Sequence, residues 1–192
     1  MSHLNRYAIF ALLDSGSASS IRSKQRRLTE ITGNKMAFIF PVHITLKGRY
    51  IAEEDVISEA FKEINLTTNL TTIEVPVDIC LSEPQYIKPE LAWLEVLPQY
   101  QGYKTLLCLH KLFENLLSQV VIEDEVPEAY KNSGFRPHVT LGWGVTPEAW
   151  ARYFSNAHIP VLHPSRIDSI ALVRYPDSWP REGDIDVVFK IP

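Results

Sequence analysis

Cysteine is scarce in this 192-residue chain. Its two cysteines, Cys80 and Cys108, are too few for the disulfide framework of a small secreted domain. They also lack the paired spacing of a zinc site, so both read as buried or half-buried thiols in a reducing compartment. An excess of positive charge is missing too. Nineteen Lys and Arg against twenty-three Asp and Glu leave a net charge of −4, the wrong sign for a protein that coats long nucleic acid through its overall field. A small anion held in a locally basic pocket is still compatible with that charge. Long hydrophobic runs are absent: "YAIFALL" near the N-terminus stops at Asp14, too short to cross a membrane and without a small-residue cleavage site. Cytoplasmic location, without membrane association, is therefore the expectation. Low-complexity linkers are lacking as well, so residues 1–192 read as one domain, and 45% apolar residues suffice for a substantial core.

What is present is an alternation of short strands and amphipathic helices. "RYAIFALLD" reads as a buried strand. "SASSIRSKQRRLTEITGN" reads as a helix with Ile21, Leu28 and Ile31 on one face, Gly33-Asn34 as its stop and a basic opposite side of Arg22, Lys24, Arg26 and Arg27. That side is read as solvated, with an RNA-tail or phosphate guide as the rival reading. "AFIFPVHITLKGRY" is expected as a strand interrupted near Pro41, and "AEEDVISEAFKEINL" as a helix with acids in its first turn. "TTIEVPVDICL" alternates through Ile73, Val75, Val77, Ile79 and Leu81, with Pro76 marking an edge or bulge. "SEPQYIKPE" reads as a connector, "LAWLEVLP" as a strand and "YKTLLCLHKLFENLLSQVV" as a well-covered helix whose His110 is structural. After the acidic loop "IEDEVPEAYKNSG" come the strand "FRPHVTLGWGV", a helix opened by Thr146-Pro147-Glu148, and the closing strands "SRIDSIALVRYP" and "DIDVVFKIP". The halves share their element order. The expected fold is α+β: a bilobal single domain with pseudo-twofold symmetry, two largely antiparallel sheets forming a central cleft, and helices on the outside.

Residues 40–46 read "FPVHITL" and residues 135–141 read "FRPHVTL". Side chains alternate along a strand, so His43 and Thr45 share one face, as do His138 and Thr140, while the β-branched and Leu positions face a core. Packing does not need the imidazole or the hydroxyl. If the two strands face each other across a cleft, two imidazoles and two hydroxyls converge on one volume, and that set suits a phosphodiester. A neutral imidazole accepts the nucleophile's proton, a protonated one donates to the leaving oxygen, and the hydroxyls hold the non-bridging oxygens. This scheme requires no metal and no cofactor.

The paired "HITL" and "HVTL" tetrapeptides, with their separation and duplicated layout, resemble those of the two-histidine (2H) phosphoesterase superfamily, which includes 2′-5′ RNA ligase-like proteins and cyclic phosphodiesterases. The resemblance covers nearly the whole chain in element order. It implies a bilobal fold with both motifs in a central cleft, and metal-independent action on 2′,3′-cyclic phosphates, ADP-ribose cyclic phosphate or RNA ends. It makes His43 and His138 the acid–base pair and Thr45 and Thr140 the phosphate-binding hydroxyls. The leading expectation is hydrolysis of a 2′,3′-cyclic phosphate of a nucleotide or RNA end to a 2′-phosphate, with His138 as base and His43 as acid.

Further substrate-binding candidates follow from position. Unbroken alternation puts Lys47 and Arg49 on the His43 face and Arg136 on the His138 face. Trp143, Tyr175 and Trp179 are candidates for stacking on a base, with Arg174 beside Tyr175. The partner is expected to be a cyclic nucleotide or RNA terminus, with no obligatory protein partner and a monomeric chain. The alternatives are an RNA-end or nucleotide-binding module, or a 2′-5′ RNA ligase, with little hydrolytic turnover. A metal hydrolase is disfavoured, because no nearby Asp/His cluster supplies a third ligand.

Overall fold

A computed structural model of the chain describes residues 4–67, 75–87, 90–155, 162–176, 180–181 and 184–191. The first strand, β1 (Leu4–Leu13), is the buried apolar run near the N-terminus, and Asp14 ends it by capping the next element. The Asp14 carboxylate accepts from the Gly16 and Ser17 amides. Helix α1 (Ser15–Thr32) then runs to Gly33, whose positive φ of 73° is the left-handed conformation that glycine adopts without a Cβ penalty. Residues Met36–Ile39 form a one-turn helix, α2, rather than the expected strand. The extended strand begins only at the first motif, as β2 (His43–Glu53), followed by α3 (Glu54–Thr67) with Glu54 and Asp55 in its first turn.

Strand β3 (Val77–Leu81) is shorter than the alternation suggested, and Ile73 lies outside the described residues. Residues Gln85–Ile87, read as connector, form a short strand β4, paired with β5 (Leu91–Glu95). Then come α4 (Gln101–Leu117), the two-residue β6 (Glu123–Asp124), two 3₁₀ turns, and the second motif strand β7 (His138–Trp143). Helix α5 (Pro147–Ser155) starts on Thr146, whose hydroxyl accepts from the Ala149 amide. The closing strands are β8 (His163–Tyr175) and β9 (Asp186–Ile191).

These elements make an α+β domain with two sheets, all of whose pairs are antiparallel. The larger has the order β3-β8-β1-β2-β6, with β9 also on β8; the smaller is β4-β5-β7. Pro76 immediately precedes β3, which is an edge strand as expected. The helices cross over. Helix α1 follows β1 of the large sheet yet packs on β7 of the small one, while α4 follows β5 of the small sheet yet packs on β2 and β3 of the large one. One core therefore runs through both lobes, from Ile9 and Phe61 to Leu94 and Leu141. The opposite face of the large sheet carries a small cluster of Ala8, Phe10 and Val173, which Phe40 and Tyr175 flank.

The α4 crossover depends on Gly102. A Cβ there would fall 2.3 Å from the Asp78 carbonyl oxygen and 2.6 Å from Ile79 Cγ2. In an open helix Gly→Ala gains up to about 1 kcal/mol, whereas Gly102→Ala is expected to cost about 1–3 kcal/mol through overpacking against β3. A denaturation midpoint at or above that of the parent would refute this close approach.

Candidate active site

The two motif strands line one cleft of about 500 Å³, into which His43, Thr45, His138 and Thr140 all face. The motifs are built alike down to single hydrogen bonds. Each imidazole has Nδ1 at 2.7 Å from the carbonyl oxygen two residues earlier, Pro41 for His43 and Arg136 for His138. A carbonyl can only accept, so Nδ1 carries the hydrogen in both rings and Nε2 is left for the cleft.

Beneath each imidazole lies an aromatic ring from the neighbouring strand. Phe10 pairs with Thr45 in the ladder and stacks on His43 with centroids 3.6 Å apart; Trp93 pairs with Thr140 and lies 4.1 Å from the His138 ring. Each strand also bulges directly after its threonine. From Tyr7↔Tyr50 to Phe10↔Thr45, β1 advances three residues (7 to 10) while β2 advances five (50 to 45). From Ala92↔Gly142 to Trp93↔Thr140, β5 advances one (92 to 93) and β7 two (142 to 140).

These bulges decide where the remaining candidates point. One extra residue turns Lys47 off the His43 face. It is buried against α4, with Nζ 2.9 Å from Glu114 and an ion pair at 2.5 Å to Asp124, and does not line the cleft. The second extra residue restores the phase, so Arg49 does line the cleft, held by Glu125 at 2.9 Å. In β7 the single bulge brings Trp143 onto the cleft side, where it is 42% exposed. Arg136 is exposed at the mouth and pairs with no carboxylate among the described residues. Tyr175 lines the cleft beside Phe40, with centroids 5.7 Å apart, and burial raises its phenol pKa. Arg174, its neighbour in the strand, points to the other face and pairs with Glu54 and Asp186, so it is no cleft residue. Trp179 lies outside the described residues.

Several contributors come from elements that the motifs do not identify. Arg22, read as part of a solvated face, donates to the Ala37 carbonyl at 2.8 Å, to the Phe40 carbonyl, and to Gln25 Oε1 at 2.9 Å. Gln25, buried one turn on, donates to the Thr140 carbonyl at 2.9 Å. One helix thus pins the backbone ahead of the first motif and within the second. Phe40 and Phe135, at the same position of each motif, both line the cleft, Phe40 beside Phe10 and Phe135 against His110. His110 has the structural contacts expected of it, a 2.7 Å hydrogen bond to the Leu46 carbonyl and a stacked Phe135. Among the described residues, no three His, Cys, Asp or Glu side chains converge as metal ligands do, and no helix is long and apolar enough to cross a membrane.

Burial pushes the His43 pKa down to about 4, aided by the nearby charges of His138 and Arg22 and opposed by the Pro41 carbonyl. His138 is also lowered by burial, against the pull of the Arg136 carbonyl. The charge of His138 is among the influences on His43, so the two imidazoles act on each other across the cleft that both line.

No family model matches the sequence, and no curated protein shows significant sequence similarity to it. Solved structures do share its fold. TT0787 of Thermus thermophilus matches with a TM-score of 0.60 at 18% identity over 96% of both chains. LigT of Escherichia coli matches over 98% of both chains, with a TM-score of 0.56 at 14% identity as the NADP+ complex and 0.55 at 15% identity as the 3′-AMP complex. The chain therefore has the LigT-like α+β fold over nearly its whole length. That is the bilobal layout implied by the resemblance of its paired tetrapeptides.

The depressed His43 also has a consequence for stability. Between about pH 6.5, the ordinary histidine value, and about 4, the unfolded chain binds a proton that the folded one refuses. Stability contributed by this site is present above that window and declines as pH falls through it. Replacing His43 with Gln is expected to flatten the pH dependence of the unfolding free energy over this range. An unchanged slope in denaturant titrations would show that His43 is not held neutral by the fold.

Proposed function

We propose that this protein is a phosphodiesterase of the two-histidine type that hydrolyses 2′,3′-cyclic phosphates of nucleotides or RNA ends, leaving a 2′-phosphate. One observation carries the reading: two imidazoles share a cleft, each with Nδ1 tied to a carbonyl and Nε2 free, each beside a threonine and above an aromatic ring. Packing alone gives no reason to build that arrangement twice. The nucleotides held by LigT, 3′-AMP and NADP+, support a nucleotide-sized ligand for this fold.

The cyclic phosphate sits between the two Nε2 atoms. The imidazole that is neutral at rest takes a proton from the attacking water, the new P–O bond forms, and the bond from phosphorus to the 3′ oxygen breaks. The protonated imidazole hands its hydrogen to that oxygen. The surroundings of each ring support the reverse of the order expected above. His43, beside the Arg22 charge and over the apolar Phe10, stays neutral and is the base. His138, over Trp93, has the ring face that best accommodates an imidazolium and is the acid. Thr45 and Thr140 donate to the non-bridging oxygens, and Arg136 supplies positive charge that no carboxylate among the described residues neutralises.

Replacing either histidine with Ala is expected to lower kcat for a 2′,3′-cyclic mononucleotide by roughly 10²–10⁴-fold. Thr45→Val or Thr140→Val should cost about 1–3 kcal/mol of transition-state stabilisation, read from kcat/KM. Steady-state assays that find both histidine variants within a few-fold of the parent would remove this mechanism. Tight binding of a cyclic-ended oligonucleotide without product would instead identify a binding module.

The pH profile tests the order of the pair. The base must be neutral, so the acidic limb of kcat/KM is expected near pH 4, and the acid must be protonated, so the alkaline limb should lie below the ordinary value of about 6.5. A bound phosphodiester favours both imidazolium forms, so both limbs of kcat should sit at higher pH than those of kcat/KM. In His43→Ala the acidic limb should vanish from the residual activity. Loss of the alkaline limb instead would reverse the assignment.

A further inference from the structure

The acid–base chemistry occupies the histidines and threonines of the cleft and gives no task to the tryptophan beyond them. With the bulges counted, Trp143 and Arg49 hold the same place in the two lobes. On β7, His138 stands opposite Glu95, Thr140 opposite Trp93 and Trp143 opposite Leu91. On β2, His43 stands opposite Leu12 and Thr45 opposite Phe10, and extending the register from Tyr7↔Tyr50 by one residue puts Arg49 opposite Ala8. Each is thus one full pleat beyond the threonine of its motif and on the same face, about 7 Å further along the strand. A group at that place meets a different part of the ligand from the phosphate that the threonines hold.

The two equivalent places carry unlike groups. Arg49 is engaged, with Nε donating to Glu125 at 2.9 Å and the guanidinium 6.0 Å from the centroid of the Tyr175 ring. Trp143 lines the cleft with 42% of its surface exposed, and among the described residues no other ring packs on its indole. Tyr175 differs in this respect: Phe10 and Phe40 already pack on it, with centroids 6.2 and 5.7 Å away. The backbone that bears Trp143 is held on both sides. A Cβ on Gly142 would fall 2.6 Å from Leu28 Cδ2 of α1, and Gly144, with φ of 64°, leaves room for Asn34, whose Nδ2 would stand 2.9 Å from a Cβ. Asn34 is itself fixed by the Met36 amide, which donates to its Oδ1 at 2.9 Å, and the Val145 amide donates to the Glu90 carbonyl at 3.0 Å. A bare indole on a fixed backbone stacks on a flat ligand with little further loss of freedom.

We propose that Trp143 is the base platform of this cleft, its indole stacking on the nucleobase of the nucleotide whose phosphate lies between His43 and His138. The ligand class rests on the phosphodiesterase reading given above. All three residues line one cavity, so a base on the indole leaves its ribose phosphate within the same cleft. The matching place in the other lobe offers an ion pair instead of a ring, so only one of the two places suits a base and the nucleotide is seated in one direction. Every base has a π face, so the platform holds purines and pyrimidines alike and distinguishes a nucleotide from a phosphate without a base.

Calorimetric titration of the whole protein with adenosine 2′-monophosphate and with inorganic phosphate tests this. Trp143→Ala should weaken the nucleotide about tenfold and leave phosphate within about twofold of the parent. Trp143→Leu, apolar but without a π face, should lose as much as Trp143→Ala, whereas Trp143→Phe should stay within about threefold of the parent. Saturating nucleotide should also quench tryptophan emission in the parent, and that quench should be missing from Trp143→Phe. Nucleotide affinity that is unchanged in Trp143→Ala, or phosphate affinity that falls with it in step, overturns the platform. Turnover of 2′,3′-cyclic AMP separates this proposal from the reading beneath it. Nucleotide affinity that depends on Trp143 without turnover leaves the platform and removes the phosphodiesterase. Turnover with the same kcat/KM in Trp143→Ala as in the parent leaves the phosphodiesterase and removes the platform.

Discussion

The site depends on one hydrogen bond made twice, from an imidazole Nδ1 to the carbonyl two residues earlier. For that carbonyl to reach the ring, the chain must enter each motif strand from irregular backbone, because in a regular ladder the same oxygen would be taken by the neighbouring strand. Proline supplies the entry in both copies, as Pro41 itself and as Pro137 directly after Arg136. Its fixed φ, and the restriction it places on the residue before it, hold the carbonyl still. The neighbouring strand picks up the chain just afterwards: Leu13 N–H donates to the Val42 carbonyl at 3.3 Å, and Val96 N–H to the Pro137 carbonyl at 2.9 Å. With Nδ1 committed, each ring has one reactive nitrogen and one orientation. That is the preorganisation which acid–base chemistry needs.

The crossover of helices explains why two separately built motifs stay in register with each other. Gln25 on α1 bonds to the backbone of the second motif, while Arg22 on the same helix bonds to the segment leading into the first. Four residues of one helix thereby span both halves of the site. The apolar core that runs beneath both sheets does the same at lower resolution. Opening the cleft as a hinge would break these bonds and uncover that core, so the fold favours a preformed cleft over one assembled on binding.

What was legible in the sequence follows the range of the interaction. Alternation within one strand located His43, Thr45, His138 and Thr140 on shared faces, and the repeated order of strand, helix and motif strand is kept in β1-α1-β2 and β5-α4-β7, each with its two strands paired, although the sheets they belong to have six and three strands. Lys47 was misplaced because the rule of alternation fails at a bulge, and the glycine beside it signalled irregularity without fixing its phase. Arg174 was misplaced through adjacency to Tyr175, although neighbours in a strand face opposite ways. Phe10, Trp93, Arg22 and Gln25 could not be read at all. Each acts on a motif from another element, and a single sequence carries no trace of which Phe will lie under which His. The short α2 and β4 escaped for the opposite reason: they are too brief for any period to show.

Symmetry of the fold does not carry through to the chemistry, and the departures all bear on function. The ring under one imidazole is Phe and under the other Trp. Arg22 adds positive potential to His43, while the repulsion between the two imidazolium forms is shared by both rings. In the cleft wall Phe40 meets Tyr175, whereas Phe135 stacks on the His110 imidazole. A symmetric pair of histidines could protonate or deprotonate either side of a phosphodiester equally well. Hydrolysis of an unsymmetrical ester needs one nitrogen to be empty and the other filled, and it needs the substrate to enter in only one direction. The first requirement falls to the rings and charges next to each histidine, and the second to the contrast between these two aromatic pairs. Both sets of residues lie outside the repeated tetrapeptides, so the repeat can build the same bond twice while its surroundings give each copy a different task.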